Sequence, residues 1–262
     1  MSCGNRFEGR YCNVCGEKVV EEADFSFRKI SGEIVSNLFN FESKVFRSLG
    51  ALFVRPGQLS LNFVEGQRVN YLRPIQLFLF ANIVFFIFLA DVDIFRAPSQ
   101  WFFAEGTASN GIRAMLGNAM ASQGKDESEI AVMYDNLSSN LAKGLVILLI
   151  PVIGVVSWLL NLRKSFAFGK HVIFASHYFT FLLLFCVALL LIYFVFQVSG
   201  RSLYLYPILG AMLIYYLLAH RKFFRENIFV SFLKSSAAVL LILAILQYYR
   251  MAVSYYSLWV LT

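Results

Sequence analysis

Arg55-Pro56-Gly57, followed by Gly66-Gln67-Arg68-Val69-Asn70-Tyr71-Leu72-Arg73-Pro74, forms a basic, turn-rich collar directly before the first long apolar run. Pro56 steers Arg55 out of the α region and Gly57 permits a positive φ, so a helix arriving from the N-terminal side ends here. Gly66 offers a second turn. Pro74 suits the first turn of a new helix, where its missing N–H costs nothing. Upstream of the collar the chain is polar and cysteine-bearing, and downstream it is mostly apolar. The collar is therefore a junction between a soluble portion and a membrane portion.

Composition agrees with that division. The 262 residues are 58% hydrophobic and include 28 Phe, with a mean hydropathy of +0.64, too apolar for a soluble domain of this size. The expected fold is an all-α polytopic membrane protein. The runs Pro74 to Ala90, Leu145 to Leu162, Val172 to Val198, Leu203 to Ala219 and Phe229 to Tyr249 read as about five transmembrane helices, each near the roughly 20 residues that cross 30 Å of hydrocarbon. The domain reading is a segment at 1–24, an amphipathic helix and collar at 25–73, and a transmembrane domain at 74–262 with an external segment at 91–143.

Charge sets the orientation. Arg163, Lys164 and Lys170 share one side with Arg221, Lys222, Arg225 and residues 1–73, and the positive-inside rule makes that side cytoplasmic. Residues 91–143 carry an acidic excess and are expected outside. The C-terminus also ends outside, with Tyr255, Tyr256 and Trp259 as an interfacial belt and Trp101-Phe102-Phe103 dipping into the outer leaflet. The first 30 residues hold no apolar core of a secretory signal, so internal spans are expected to do the targeting. A net charge of +7 is accounted for by topology and anionic lipid. No nucleic-acid partner is expected, because the basic region lacks a recognition-helix or aromatic-strand pattern.

The cysteines come first. Cys12-Asn13-Val14-Cys15-Gly16 has the form of a zinc knuckle, in which glycine relieves crowding where amides turn towards thiolates. With Cys3 the set offers three ligands where tetrahedral zinc takes four. A leading knuckle would put the partner of Cys3 one position before Met1, so zinc coordination by Cys3, Cys12 and Cys15 is expected to be incomplete. Between Phe25 and Val54, apolar residues recur every three or four positions from Phe27 through Ile30, Ile34, Leu38, Phe41, Val45, Leu49 and Leu52. That is one face of a helix. The bilayer interface, the transmembrane bundle or a partner subunit would cover it, and basic residues on the other face favour an in-plane helix at the interface. Arg55, Arg68, Tyr71 and Arg73 are the candidate lipid-binding or partner-binding residues, since arginines near an anionic leaflet are attracted to it and tyrosine suits the headgroup level.

Within the apolar part the chemistry is sparse. His171 and His177 fall about 240° apart on a helix and face different ways. Asn82 is expected to bond a neighbouring helix, and Lys234 to snorkel to the near surface. No acidic residue lies mid-span, and there is no Walker loop, nucleophile elbow or paired acidic metal motif. No catalytic residue is assigned.

The combination Cys3-Gly4, Phe7-x-Gly9-x-Tyr11-Cys12-x-x-Cys15-Gly16, Phe39-Asn40-Phe41-Glu42-Ser43, Arg47-Ser48-Leu49, Arg55-Pro56-Gly57 and Gly66-Gln67-Arg68-x-x-Tyr71-x-x-Pro74 resembles the domain-of-unknown-function family DUF3667. The resemblance implies a bacterial inner-membrane protein with a zinc-ribbon-like cytoplasmic start, the collar and several hydrophobic helices. It departs from the family in lacking the first cysteine of the leading pair, and it brings no reaction with it. The leading functional expectation is a non-catalytic adaptor or assembly factor that docks a protein partner through its N-terminal module and contacts anionic lipid. The alternatives are a transporter or channel-like component, and a membrane enzyme acting on lipid headgroups.

Overall fold

Caps and turns cut this apolar chain into helices. The computed structural model describes residues 43–89, 93–104, 109–162, 164, 166–197 and 201–262. Cys3, Cys12 and Cys15, and most of the amphipathic stretch at 25–54, lie outside the described residues. The chain divides into two compact units, Met1–Arg47 and Ser48–Thr262. Of the first, residues 43–47 are described and are helical. All that follows concerns the second.

The fold is all-helical, with no strand among the described residues. α1 (residues 48–54) and α2 (Gln58–Val64) precede the collar, and α3 (Pro74–Phe88) starts on Pro74. Then come α4 (Ser99–Phe102), α5 (Asn110–Gln123) and α6 (Glu127–Leu145), which a short 3₁₀ turn joins to α7 (Leu149–Leu160). α8 (Phe168–Val195), α9 (Arg201–Phe224) and α10 (Ile228–Leu261) complete the chain. Polar caps mark the starts of α5, α6 and α10. Ser109 Oγ accepts from Ile112 N, Asn227 Oδ1 accepts from Val230 N, and Asp126 and Glu129 form a capping box. The Glu129 amide and the Ser128 hydroxyl, by donating to Asp126, hold its carboxyl below the usual carboxylate range.

Among the described residues, three helical stretches are long and apolar enough to cross a membrane: Glu127–Leu160, Phe168–Val195 and Ile228–Leu261. Within the described residues each expected apolar run holds a helix, but the boundaries differ. The run from Leu145 is the second half of a helical stretch that begins at Glu127, because α6 continues into α7 with no helix-breaking residue between them. α10 likewise continues past Tyr249 to Leu261. α3, with 15 residues, is also apolar but shorter than these three stretches.

α8 is the hub. Its buried side chains pack against α3, α7 and α9. Phe179 stacks with Phe78 of α3, and Phe181 stacks on Tyr215 of α9 with ring centroids 3.7 Å apart. Gly154 of α7 sets the approach on the remaining side, for a Cβ there would lie 3.2 Å from Val172 Cγ2. Small residues at such crossings let helix backbones come close, which is how apolar helices gain packing where no hydrophobic force drives them together.

A separate core forms where α4, α5 and α6 meet the last turns of α10. Phe102, Ile112, Leu116, Ile130, Tyr134 and Leu258 are buried in it. Of the three aromatics expected to dip into a leaflet, Phe102 stacks on Tyr134 with centroids 5.5 Å apart and Phe103 packs on the same ring. Trp101 remains half exposed. A buried tyrosine ring gives two phenylalanines more contact than the surface does, and that preference is invisible in the triplet itself. Asp135 ties the segment together, bonding Arg96 and accepting from Ser99 N and Oγ.

Candidate functional site

The collar's residues hold two short helices against the bundle. Gly57, between α1 and α2, has φ +79°, and a Cβ there would lie 2.5 Å from the carbonyl oxygen of Ala219 and 2.9 Å from its Cα. The turn therefore rests backbone to backbone on α9. Three hydrogen bonds extend the seat. Tyr215 Oη of α9 donates to Leu52 O at 3.0 Å, Ser60 Oγ of α2 and His177 Nδ1 of α8 share a bond at 2.8 Å, and Ser176 Oγ of α8 donates to Pro74 O at 3.1 Å. Within the collar, Leu72 N donates to Ser48 Oγ and Asn62 Nδ2 donates to Tyr71 Oη. Leu52, Leu59 and Leu72 are buried beneath it. The motif positions Ser48, Gly57, Tyr71 and Pro74 thus each have a structural contact.

Residues 42–86 match the model of a family described as "Protein of unknown function (DUF3667)". The match supports the resemblance read from the sequence. It spans α1, α2, the collar and most of α3, so the DUF3667 stretch is the docked segment just described. No curated protein and no solved structure matches the chain.

The docked DUF3667 segment closes one side of a groove. Arg55 and Pro56 of the turn, with Gln58 and Leu61 of α2, face Leu218, Arg221, Lys222 and Arg225 at the end of α9 across a cavity of about 610 Å³. Among the described residues, Arg55, Arg221 and Lys222 have no carboxylate partner, while Arg225 pairs with Glu65 at 3.1 Å. Arg225 is itself in the left-handed region, φ +53°, where the chain turns out of α9. A second cavity of about 350 Å³ adjoins the first, sharing Leu61 and Arg225 and adding Glu65, Lys164 and Lys170 with Phe166, Phe223 and Phe224. Lys170 Nζ sits 4.7 Å over the Phe166 ring, a cation–π contact that keeps the ammonium at the wall.

Behind the groove, the ends of α7, α8, α9 and α10 share a buried polar network. Asn161 is its centre: its Nδ2 donates to Ser157 O, and its Oδ1 accepts from Lys234 Nζ at 2.9 Å and meets His220 Nε2 at 3.2 Å. Because that oxygen only accepts, His220 carries its proton on Nε2, and Nδ1 is left to accept from Ser231 Oγ at 3.3 Å. Lys234 Nζ also donates to Glu226 Oε1 at 2.8 Å, with Lys164 Nζ at 3.7 Å from the same oxygen. Lys234 does not snorkel, since a carboxylate and an amide hold it between the helices. His171 bonds Ser157 Oγ at 3.0 Å, whereas His177 bonds Ser60, so the two histidines do face different neighbours.

The expected site residues separate. Arg55 lines the first cavity. Arg68 turns back on its own segment, its Nε donating to Phe63 O and its guanidinium 4.8 Å over the Phe63 ring. Tyr71 bonds Asn62, and Arg73 is exposed at the start of α3, its amide donating to Gln76 Oε1. In the sequence, Arg221, Lys222, Arg225, Lys164 and Lys170 are topology signals and not site residues. Their charge places them on one side with the collar, and the contact at Ala219, which no sequence pattern shows, makes them its neighbours. Asn82 Oδ1 is enclosed with no hydrogen-bond partner among the described residues. Asn82, Gln197 and Gln247 line neither cavity. No three His, Cys, Asp or Glu side chains among the described residues are placed to hold a metal.

Proposed function

We propose that the protein is a non-catalytic adaptor of the bacterial inner membrane whose basic groove grips anionic lipid headgroups and thereby fixes its N-terminal module at the leaflet surface. In this reading the chain spans five times, its N-terminus and the groove are cytoplasmic, and its C-terminus is external. The observation that carries it is the groove itself, four cations against the apolar wall of Leu61 and Leu218. Phosphodiesters match arginine's forked donors, and a mixed basic and apolar lining suits the boundary between headgroup and acyl chain.

Each basic residue near an anionic leaflet is worth about 1 kcal/mol, or roughly fivefold in affinity. Joint substitution Arg55→Ala and Arg221→Ala is therefore expected to weaken binding of phosphatidylglycerol to the purified full chain by about 25-fold. Phosphatidylcholine binding should not change. Lipid titration monitored by native mass spectrometry reads both, and an unchanged phosphatidylglycerol affinity refutes the proposal.

The partner is taken to be a protein docked on the cysteine module. Cys3, Cys12 and Cys15 supply three of the four ligands zinc requires, so any zinc they hold is bound more weakly than in a complete site unless another group completes it. Cys12→Ser with Cys15→Ser is expected to remove copurifying partners while leaving insertion into the membrane intact. An identical partner set after that change rules out docking through the module.

A further inference from the structure

Two adjoining cavities, and not one, line the basic end of the bundle. The larger has Arg55, Arg221 and Lys222 as its cations, the smaller has Lys164 and Lys170, and Arg225 lies in the wall of both. A single phosphate fills neither the pair of compartments nor their charge. Arg225 is bridged to Glu65, a residue of the smaller compartment; their side chains are 75% and 43% exposed, and an exposed bridge of this kind holds little energy against a competing anion. Opening it frees a guanidinium that lines both compartments, able to bridge two phosphates. The walls are apolar on both sides, with Leu218 in one compartment and Val64 with Phe166 in the other. Lys164 is drawn partly towards Glu226 at 3.7 Å, which leaves Lys170 as the principal anchor of the smaller compartment.

Building on the headgroup reading, we infer that the preferred ligand is a lipid with two phosphodiester groups, of the diphosphatidylglycerol type. One phosphate sits among Arg55, Arg221 and Lys222, the other sits at Lys170, and Arg225 bridges the two after leaving Glu65. Glu65 is thus a gate that competes with the ligand for Arg225.

The test uses the purified full chain, titrated with diphosphatidylglycerol, with phosphatidylglycerol at matched phosphate, and with soluble pyrophosphate. The expected result is an affinity for diphosphatidylglycerol at least about tenfold above that for phosphatidylglycerol, with pyrophosphate weaker than either, since the apolar walls contribute only to a lipid. Lys170→Ala should reduce diphosphatidylglycerol binding to the phosphatidylglycerol level while barely changing phosphatidylglycerol itself. Glu65→Gln should strengthen diphosphatidylglycerol binding several-fold, an effect that a merely structural role for Glu65 does not produce. Equal affinity for the two lipids, or indifference of diphosphatidylglycerol binding to Lys170→Ala, overturns the two-compartment site while leaving the headgroup reading standing. Pyrophosphate binding as tightly as the lipid overturns the lipid assignment. If neither anionic lipid exceeds phosphatidylcholine, the headgroup reading itself fails and this inference with it.

Discussion

Gly57→Ala is expected to lower the thermal midpoint of the purified chain by on the order of 10 °C and to release α2 from α9. Two costs combine. A left-handed backbone costs a residue with a Cβ roughly 1–2 kcal/mol, and Gly57 has φ +79°. The added Cβ would also meet the Ala219 backbone at 2.5 Å, a contact that no side-chain rotation relieves. Overpacking of that kind costs about 1–3 kcal/mol more. Together these come to about 2–5 kcal/mol, and each kcal/mol moves the midpoint of a chain this long by roughly 2–4 °C. Gly66 supplies the control. It too has a positive φ, +94°, but nothing lies within 4 Å of its would-be Cβ, so Gly66→Ala carries the backbone cost alone. The difference between the two midpoints measures the close approach by itself. Equal effects of the two substitutions would mean that the turn does not rest on α9. Because Arg55 reaches the groove only through that seat, Gly57→Ala should also weaken phosphatidylglycerol binding, with every cation still present.

Much of this molecule was legible in the chain, and the reasons are local. Pro56, Gly57 and Pro74 punctuate the backbone wherever they occur, so the ends of α1 and the start of α3 could be read directly. Apolar runs longer than a soluble helix needs identified the long helices. What was not legible depends on distance in sequence. Arg55 and Arg221 are far apart along the chain, and the seating of the Gly57 turn on α9 brings them to one groove. Lys234 followed the ordinary expectation for a lysine near a helix end until Asn161 and Glu226, on other segments, were placed beside it. Arg68 and Arg73 had the right residue type in the right stretch, yet neither lines either cavity, because composition does not say which way a collar residue turns.

The largest electrostatic effect should come from Glu226. Its Oε1 accepts from Lys234 and stands 3.7 Å from Lys164, and its side chain is only 11% exposed. Lys234 is 23% exposed and shares the Asn161 amide oxygen with His220, which is fully buried. Removing one partner of a buried pair strands the other charge, typically at a cost of about 3–5 kcal/mol. Glu226→Ala should fall at the lower end, because Lys234 has a long stem and some access to solvent. Lys234→Met should cost less than Glu226→Ala, since the carboxylate keeps Lys164 nearby whereas the ammonium keeps only an amide. Replacing both, Glu226→Ala with Lys234→Met, removes the stranded charge and should recover most of the loss. The sum of the single effects should then exceed the double by about 1–3 kcal/mol. Urea or thermal unfolding of the four chains in one detergent closes the cycle. Strict additivity would mean that the pair contributes no coupling and that the four helix ends are held by packing alone. Coupling with full recovery would instead assign the network to specificity, fixing which helix ends meet at the floor of the basic groove, a use to which buried ion pairs are better suited than to raw stability.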